Sequence, residues 1–137
     1  MCEVRRHGDR TTATIVGMAA KDELGRAGED RAAAHLVKCG WRLVDRNWRC
    51  REGELDIVAL DHDELVVVEV KTRRGMGFGH PLEAVDRRKR DRLWRLAMAW
   101  AVMHPEYAHG RSLRLDAIAI IGPDPTTAKI EHVVDLR

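Results

Sequence analysis

The amino-acid sequence predicts an α/β protein with a central mixed β-sheet flanked by α-helices. One helical segment is followed by three strand-like segments, then by a second helical segment and two more strand-like segments. This order, α-β-β-β-α-β-β, is typical of a sheet that is covered by helices. The chain has 137 residues, of which 45% are apolar, so it can form one hydrophobic core.

The first half of the chain contains the first predicted helix and three predicted strands. The helix spans Asp22–Cys39, because acidic residues suit a helix N-terminus and Gly40 suits the position just after a helix ends. Trp41–Arg51 has an extended pattern. Glu54–Leu60 and Leu65–Lys71 favour β-structure and are separated by a polar four-residue loop, so we expect them to form a hairpin.

The second half begins with a glycine-rich loop, Thr72–His80. Proline is common in the first turn of a helix, and apolar residues follow Pro81 at helical spacing. The second helix is therefore predicted to run from Pro81 to about His104. Leu113–Ile121 and Lys129–Val134 are predicted to be the last two strands.

Residues 1–20 are expected to form a disordered leader, and residues 21–137 a single domain. The leader has arginines and a short, interrupted apolar stretch, which is unlike a secretory signal. The longest apolar run, Leu96–Met103, has eight residues, whereas a helix that crosses a bilayer needs about 20. The three cysteines have no C-x-x-C spacing and are interpreted as reduced thiols. We therefore expect a cytoplasmic protein that does not enter a membrane.

Charge is distributed unevenly along the chain. Residues 41–70 contain four basic and eight acidic side chains, whereas residues 71–95 contain nine basic and three acidic ones. An acidic cluster beside a basic stretch predicts a cation site next to a surface that binds anions.

The predicted hairpin brings charged side chains together. If Leu60 pairs with Leu65, Asp56 lies directly opposite Glu69, and Lys71 points to the same side of the strand as Glu69. Two carboxylates about 5 Å apart repel each other by roughly 3 kcal/mol at an effective dielectric constant of about 20. This repulsion predicts a divalent cation between them. The alternative is a solvated strand end with an ordinary Glu–Lys contact.

Three further charged residues have two interpretations each. Glu29 has small or apolar helical neighbours and is expected to face the protein body, either in the acidic cluster or satisfied by an arginine. Lys89 interrupts the apolar stripe of the second helix, so it either reaches the acids or lies at the rim of the stripe. Asp116 follows Arg114 on one strand face, and we expect a structural ion pair rather than a functional role.

The ordered combination of these segments resembles a known family. The motifs are Gly28-Glu29, Gly53–Leu60, Val66–Arg73, Phe78–Pro81, Glu83–Val85 and Leu115-Asp116. Through them, from about residue 24 to the end, the chain resembles the YraN-like family of bacterial proteins, which is itself similar to the PD-(D/E)xK nuclease superfamily and to archaeal Holliday-junction resolvases. The resemblance implies a restriction-endonuclease-like fold for residues 21–137.

The resemblance also implies roles for individual residues. Asp56 matches the metal-binding aspartate of the superfamily, and Glu69 and Lys71 match its E-x-K element. Glu29 matches the acid on the first helix that joins the metal site in resolvase-like members. The main-chain carbonyl of Val70 is expected to add a ligand for Mg²⁺ or Mn²⁺. Asp56, Glu69, Lys71 and Glu29 are thus the expected catalytic residues.

The implied function is that of a metal-dependent DNA endonuclease in DNA repair or recombination. Its DNA would be branched or single-stranded, and a homodimer is expected by analogy with resolvases. Basic residues would bind the phosphate backbone without sequence specificity. The candidates are Arg73, Arg74, Arg87, Arg88, Lys89, Arg90 and Arg92. The alternative for this arginine-rich segment is a solvated helix face.

Two other functions compete with cleavage of DNA. The first is a non-catalytic module that keeps the nuclease-like fold and binds nucleic acid. The second is a nucleotide-binding enzyme that uses the glycine-rich loop as a phosphate cradle. The loop Gly75–Gly79 does not have the G-x-G-x-x-G spacing and is not followed by Gly-Lys-Ser/Thr, which argues against the second alternative.

Overall fold

The computed structural model describes residues 16–77 and 79–137, with side chains from residue 23 onward. Three helices, one 3₁₀ helix and five strands are seen in this part of the chain. In chain order they are α1 (Val16–Lys38), β1 (Arg42–Cys50), β2 (Gly53–Asp61), β3 (Glu64–Arg73), the 3₁₀ helix (Pro81–Ala84), α2 (Arg87–Met103), α3 (Pro105–Ala108), β4 (Ser112–Ile121) and β5 (Lys129–Val133).

The five strands form one sheet in the order β1-β2-β3-β4-β5. β3 and β4 are parallel and the other neighbouring strands are antiparallel, so the sheet is mixed. The hairpin has the predicted register, since Leu60 pairs with Leu65 and Ile57 with Val68. Strand pairing continues one step further, to Asp61, which leaves a turn of two residues.

Two apolar clusters fill the two faces of the sheet. On one face, α1 packs against the strands through Ala32, Ala33, Leu36, Val66, Val68 and Ile118. On the other face, α2 packs through Leu93, Leu96, Trp100, Leu65, Val67 and Leu115. Successive residues of β3 therefore point to opposite sides, and this central strand is apolar and buried on both. The predicted α/β class is confirmed, and the architecture is consistent with a restriction-endonuclease-like fold.

The first helix begins earlier than the sequence predicted. α1 starts at Val16 rather than at Asp22, so the last part of the predicted leader is helical. The remainder of that leader, residues 1–15, lies outside the described residues.

The predicted second helix is divided in two. Pro81 opens a 3₁₀ helix, and α2 begins separately at Arg87. The reason is local capping, because the side chain of Asp86 accepts a hydrogen bond of 2.9 Å from the backbone N–H of Lys89 and so starts a new helix. The single-turn helix α3, which begins with a proline, was not predicted.

The cysteines differ in state. Cys39 is an exposed free thiol, whereas Cys50 is disulfide-bonded, so the expectation of reduced thiols is wrong at Cys50. In the part of the chain that the structure describes, no helix is both long and apolar enough to cross a membrane.

Candidate active site

Asp56 and Glu69 meet one step beyond the last backbone pair of the β2–β3 hairpin. They are only 7% and 6% exposed. Oδ2 of Asp56 accepts a hydrogen bond of 2.8 Å from the backbone N–H of Val70. The carboxyl group of Glu69 lies close enough to Asp56 to raise its pKa, after the larger effect of burial. The hairpin thus holds two buried acids in direct contact.

An irregularity in β2 gives Asp56 this orientation. Leu55 belongs to the apolar cluster beneath α2, whereas Ile57 belongs to the cluster beneath α1. In a regular strand these two residues would share a face, so β2 changes face at Asp56. Asn47, which lies across from Asp56 on β1, has a φ of 53°. The side chain of Asp56 consequently turns toward β3 and accepts a hydrogen bond from its backbone.

Two lysines lie beside Glu69. Nζ of Lys71 is 3.8 Å from Oε1 of Glu69, and Nζ of Lys89 is 4.0 Å from Oε2. Lys71 lies on the same face of β3 as Glu69, and Lys89 comes from α2, which covers that face. The structure therefore favours the first interpretation of Lys89, in which it reaches the acids.

Glu29 approaches the pair from α1. Burial, and next the charge of Asp56, raise the pKa of Glu29 to about 7, although a side-chain hydrogen bond with Asn47 lowers it. Burial, and next the charge of Glu69, raise the pKa of Asp56 well above its usual range. Both shifts have the same two causes, first burial away from water and then the negative charge of a neighbouring carboxyl group.

A close contact between α1 and β3 fixes the position of Glu29. A Cβ atom added to Gly28 would lie 1.9 Å from Oγ1 of Thr72, so the helix can approach the strand only because residue 28 is glycine. The next residue, Glu29, is thereby held near the end of the hairpin. Arg46 forms its ion pair with Asp30 at 2.8 Å, and its charge also lowers the pKa of Glu29, but by less than burial and Asp56 raise it.

The oxygen donors of this site fit a hard divalent cation. Such a cation, if held by Asp56 and Glu69, would offset their repulsion. Among the described residues, no group of three or more His, Cys, Asp or Glu side chains is arranged to hold a metal ion. The arrangement is therefore a close pair of acids with a third acid, Glu29, nearby. A role for the carbonyl of Val70 stays a prediction.

A groove of about 390 Å³ lies beside the two acids, between α2 and the β1–β2 turn. Lys89 lines this groove and also contacts Glu69. Arg49 and Arg92 supply further positive charge, and Glu54 forms an ion pair of 3.0 Å with Arg49. The groove thus presents mainly cationic groups next to the buried acids.

The seven predicted nucleic-acid-binding residues separate into three groups. Arg90 donates to the carbonyl of Leu136 at 2.9 Å, and Arg92 donates two hydrogen bonds to the carbonyl of Glu52 at 2.8 and 3.1 Å. These two arginines hold segments of the protein together, and Lys89 contacts the acids. The other four, Arg73, Arg74, Arg87 and Arg88, are exposed, as is Arg92.

Asp116 has the structural role that the sequence indicated. It is fully buried and accepts hydrogen bonds from Arg114 at 2.9 and 3.0 Å, from His132 at 2.9 Å and from the backbone of Asp135 at 3.0 Å. Burial alone would raise the pKa of Asp116, but these hydrogen bonds, first that from His132, lower it. The predicted ion pair of Arg114 with Asp116 is confirmed.

Sequence reasoning did not identify two residues that shape the site. A side-chain hydrogen bond with Asn47 lowers the pKa of Glu29, and Thr72 is the residue of β3 that lies closest to Gly28 of α1. The available signals were weak. Asparagine tolerates positive φ better than most residues, and Gly28 immediately precedes an inward-facing acid.

The fold and the site together define an α/β protein that carries a buried pair of acids and two lysines at the end of its central hairpin. Comparison with known sequences then identifies its family. The sequence model of "Uncharacterised protein family UPF0102" matches residues 28–120, and the chain belongs to this family. The predicted membership of the YraN-like family is thereby confirmed.

Several bacterial relatives are similar over almost their full length. A UPF0102 protein of Arthrobacter sp. (strain FB24) is 51% identical over 116 residues, which cover 85% of this chain and 97% of the relative. A UPF0102 protein of Paenarthrobacter aurescens (strain TC1) is 50% identical over 119 residues, covering 87% and 97%. One of Acidothermus cellulolyticus is 50% identical over 123 residues, covering 84% and 93%.

Proposed function

We propose that the protein is a metal-dependent DNA endonuclease of the Holliday-junction-resolvase-like type, with a role in DNA repair or recombination in the cytoplasm. The observation that supports this most strongly is the contact between Asp56 and Glu69. A fold does not retain two buried, adjacent acids at a strand end for stability, because their desolvation and repulsion both oppose folding.

Asp56 and Glu69 would hold one or two Mg²⁺ or Mn²⁺ ions, with Glu29 and the carbonyl of Val70 as further ligands. Held by these residues, a divalent ion would supply Lewis-acid chemistry, which polarises a phosphodiester and lowers the pKa of a water molecule. Glu29 has a pKa of about 7 in the metal-free protein, so it is available near neutral pH either as a ligand or as a proton acceptor.

The two lysines would act on the phosphate and the attacking water. Lys71 would orient or deprotonate the water, or neutralise the charge that develops on the phosphate in the transition state. Lys89 lies on the groove side of Glu69 and would hold the scissile phosphate over the acids. Both side chains are already positioned by Glu69 at 3.8 and 4.0 Å, so little reorientation is needed.

The groove and the exposed arginines would bind the nucleic acid. Arg88 follows directly on the first residue of α2, one position before Lys89, and Arg73 and Arg74 lie at the end of β3. Contacts of this kind with phosphates give affinity without sequence specificity and weaken steeply with salt. A homodimer that cuts two strands is a further proposal by analogy with resolvases.

A cleavage assay tests this proposal. Branched, single-stranded and duplex DNA would be incubated with the pure protein and Mn²⁺, and Lys71→Ala would be compared with the wild type. We expect cleavage of at least one substrate, inhibition by EDTA, and a decrease of about 10²- to 10⁴-fold in Lys71→Ala. Lys38→Ala, an exposed lysine at the end of α1, is the matched control and should cleave normally.

Two results would overturn the proposal. If Lys71→Ala and Lys38→Ala cleave equally well, the activity does not arise at this site. If the wild type binds DNA but cleaves none of the substrates with Mn²⁺ or Mg²⁺, the protein is a non-catalytic nucleic-acid-binding module.

A further inference from the structure

A second basic cavity, of about 430 Å³, lies on the other flank of α2. An α-helix turns by about 100° per residue, so the residues that line the groove and those that line this cavity project from opposite sides of the buried face of α2. The described residues that line the cavity are Arg87, Arg90, Asp91, Trp94, Arg95, Leu136 and Arg137. The cavity is therefore separate from the acidic pair.

The residues that line this cavity favour the binding of an anion. Four of the described lining residues are arginines and one, Asp91, is an acid. Arg87 and Arg95 are exposed, and Nε of Arg90 is buried without a hydrogen-bond partner. Arginine binds phosphate well, because its planar guanidinium group donates two parallel hydrogen bonds.

Trp94 adds an aromatic surface to the same cavity. The guanidinium carbon of Arg137 lies 3.8 Å from the centre of the Trp94 ring, so one face of the ring already carries a planar stacking group. The flat face of a nucleobase makes the same kind of contact with tryptophan. If a nucleobase took the place of the Arg137 side chain on the Trp94 ring, the ring would stay covered. The guanidinium group of Arg137 would then be free to bind a phosphate.

We propose that this cavity binds one nucleotide, with its base stacked on Trp94 and its phosphate held by Arg87 and Arg95. Two sources share this chemistry, namely one nucleotide of a single strand and a free mononucleotide. The single-strand source rests on the proposed function, which places a nucleic-acid strand near α2. Arg88 lies on the exposed face of α2, between the groove and the cavity. The free nucleotide does not depend on that function.

Binding of labelled strands in EDTA tests the stacking contact. The probes are a fluorescein-labelled oligothymidylate and an abasic deoxyribose-phosphate strand of equal length, followed by fluorescence anisotropy. Loss of one base–aromatic stack lowers the affinity about 5- to 150-fold. Trp94→Leu should show this loss with oligothymidylate and no change with the abasic strand. Trp94→Phe keeps an aromatic ring at this position and should therefore retain most of the affinity for oligothymidylate.

A second pair of variants tests the phosphate contact without disturbing the core. Arg95→Ala should weaken the binding of both probes and reduce the salt dependence, by about 0.7 in the slope of log K against log salt for one phosphate. Lys38→Ala removes the same charge at the far end of α1 and should alter neither quantity.

Competition with thymidine monophosphate identifies the source. If it displaces oligothymidylate from the wild type and not from Trp94→Leu, the cavity takes a free nucleotide; if it displaces none, the strand is the ligand. The proposal is overturned if Trp94→Leu binds oligothymidylate normally, if it loses equal affinity for both strands, or if the wild type binds no probe. Because EDTA suppresses metal-dependent cleavage, a failure of the nuclease proposal would leave this binding result unaffected.

Discussion

Gly28 of α1 and Thr72 of β3 are in such close contact that a methyl group on Gly28 would lie 1.9 Å from Oγ1 of Thr72. This contact sets the distance between the first helix and the central strand. It therefore also sets the distance between Glu29 and the acids at the end of the hairpin, and links helix packing to the candidate site.

Gly28→Ala should destabilise the protein by about 1–3 kcal/mol, because the added methyl group overlaps Thr72 and forces α1 away from the sheet. Gly25→Ala on the same helix is the matched control. A Cβ atom there meets nothing within 4 Å, so this change should stabilise the helix by about 0.5–1 kcal/mol. Urea unfolding measures both values, and equal effects of the two substitutions would contradict the close contact.

Thr72→Ala offers a further check on the same contact. It removes the two Thr72 atoms that lie at 1.9 and 2.8 Å from the added methyl group. In a double-mutant cycle, Thr72→Ala should therefore recover part of the stability lost in Gly28→Ala. Strictly additive effects would show that the two residues do not interact.

Much of the arrangement of acids at the end of the β2–β3 hairpin could be predicted from the sequence, because strand pairing follows simple rules. Once Leu60 is placed opposite Leu65, alternation brings Asp56 near Glu69. The change of face at Asp56 could not be predicted, and neither could the positive φ of Asn47, which lies across from it on the neighbouring strand. Alternation alone does not reveal such a backbone irregularity.

The arginine-rich segment shows another limit of sequence reasoning. A run of positive charges indicates where anions could bind but not which side chains are already engaged. Arg90 and Arg92 use their donors on the carbonyls of Leu136 and Glu52. Those carbonyls belong to segments 46 and 40 residues away in sequence, so only the tertiary structure could assign them.

Arg92→Ala should therefore lower the free energy of unfolding by about 1 kcal/mol, because the two hydrogen bonds to Glu52 are lost. Arg88→Ala should leave stability unchanged and should weaken the binding of DNA at low salt. Thermal unfolding and fluorescence anisotropy measure the two effects. The division between structural and binding arginines is wrong if Arg88→Ala unfolds earlier and Arg92→Ala does not.

The raised pKa of Glu29 predicts a dependence of stability on pH. The group has a pKa of about 7 in the folded state against an ordinary value of 4.5, so the folded protein binds its proton more tightly. This contribution to stability is fully present below pH 4.5 and is lost as the pH rises through about 7. In EDTA, the difference in unfolding free energy between wild type and Glu29→Gln should therefore decrease over this range.

The comparison with Glu29→Gln is needed because another group acts in the opposite direction. Burial, and next the charge of His132, lower the pKa of His35, which reduces stability as the pH falls through its usual value of 6.5. Both proteins contain His35, so its effect cancels in the difference. Parallel stability curves for wild type and Glu29→Gln would show that Glu29 is not buried against Asp56.

Asp116→Ala should destabilise the protein by about 3–5 kcal/mol, because the buried guanidinium group of Arg114 would lose its main partner. The lowered pKa of Asp116 means that its contribution is present above pH 3.8 and is lost as the pH falls below that value. Urea unfolding at low temperature measures the loss. A decrease of less than 1 kcal/mol in the free energy of unfolding would show that Asp116 does not have this structural role.

The binding of Mn²⁺ tests the central claim most directly, because it requires no knowledge of the substrate. Free Mn²⁺ has a strong electron paramagnetic resonance signal that decreases when the ion binds, so titration yields the affinity and the number of ions for each chain. We predict that the wild type binds at least one ion near neutral pH and that Glu69→Gln, which removes one charge from the buried pair, loses this binding. Equal binding of Mn²⁺ by the wild type and Glu69→Gln would contradict the claim that Asp56 and Glu69 form a metal site.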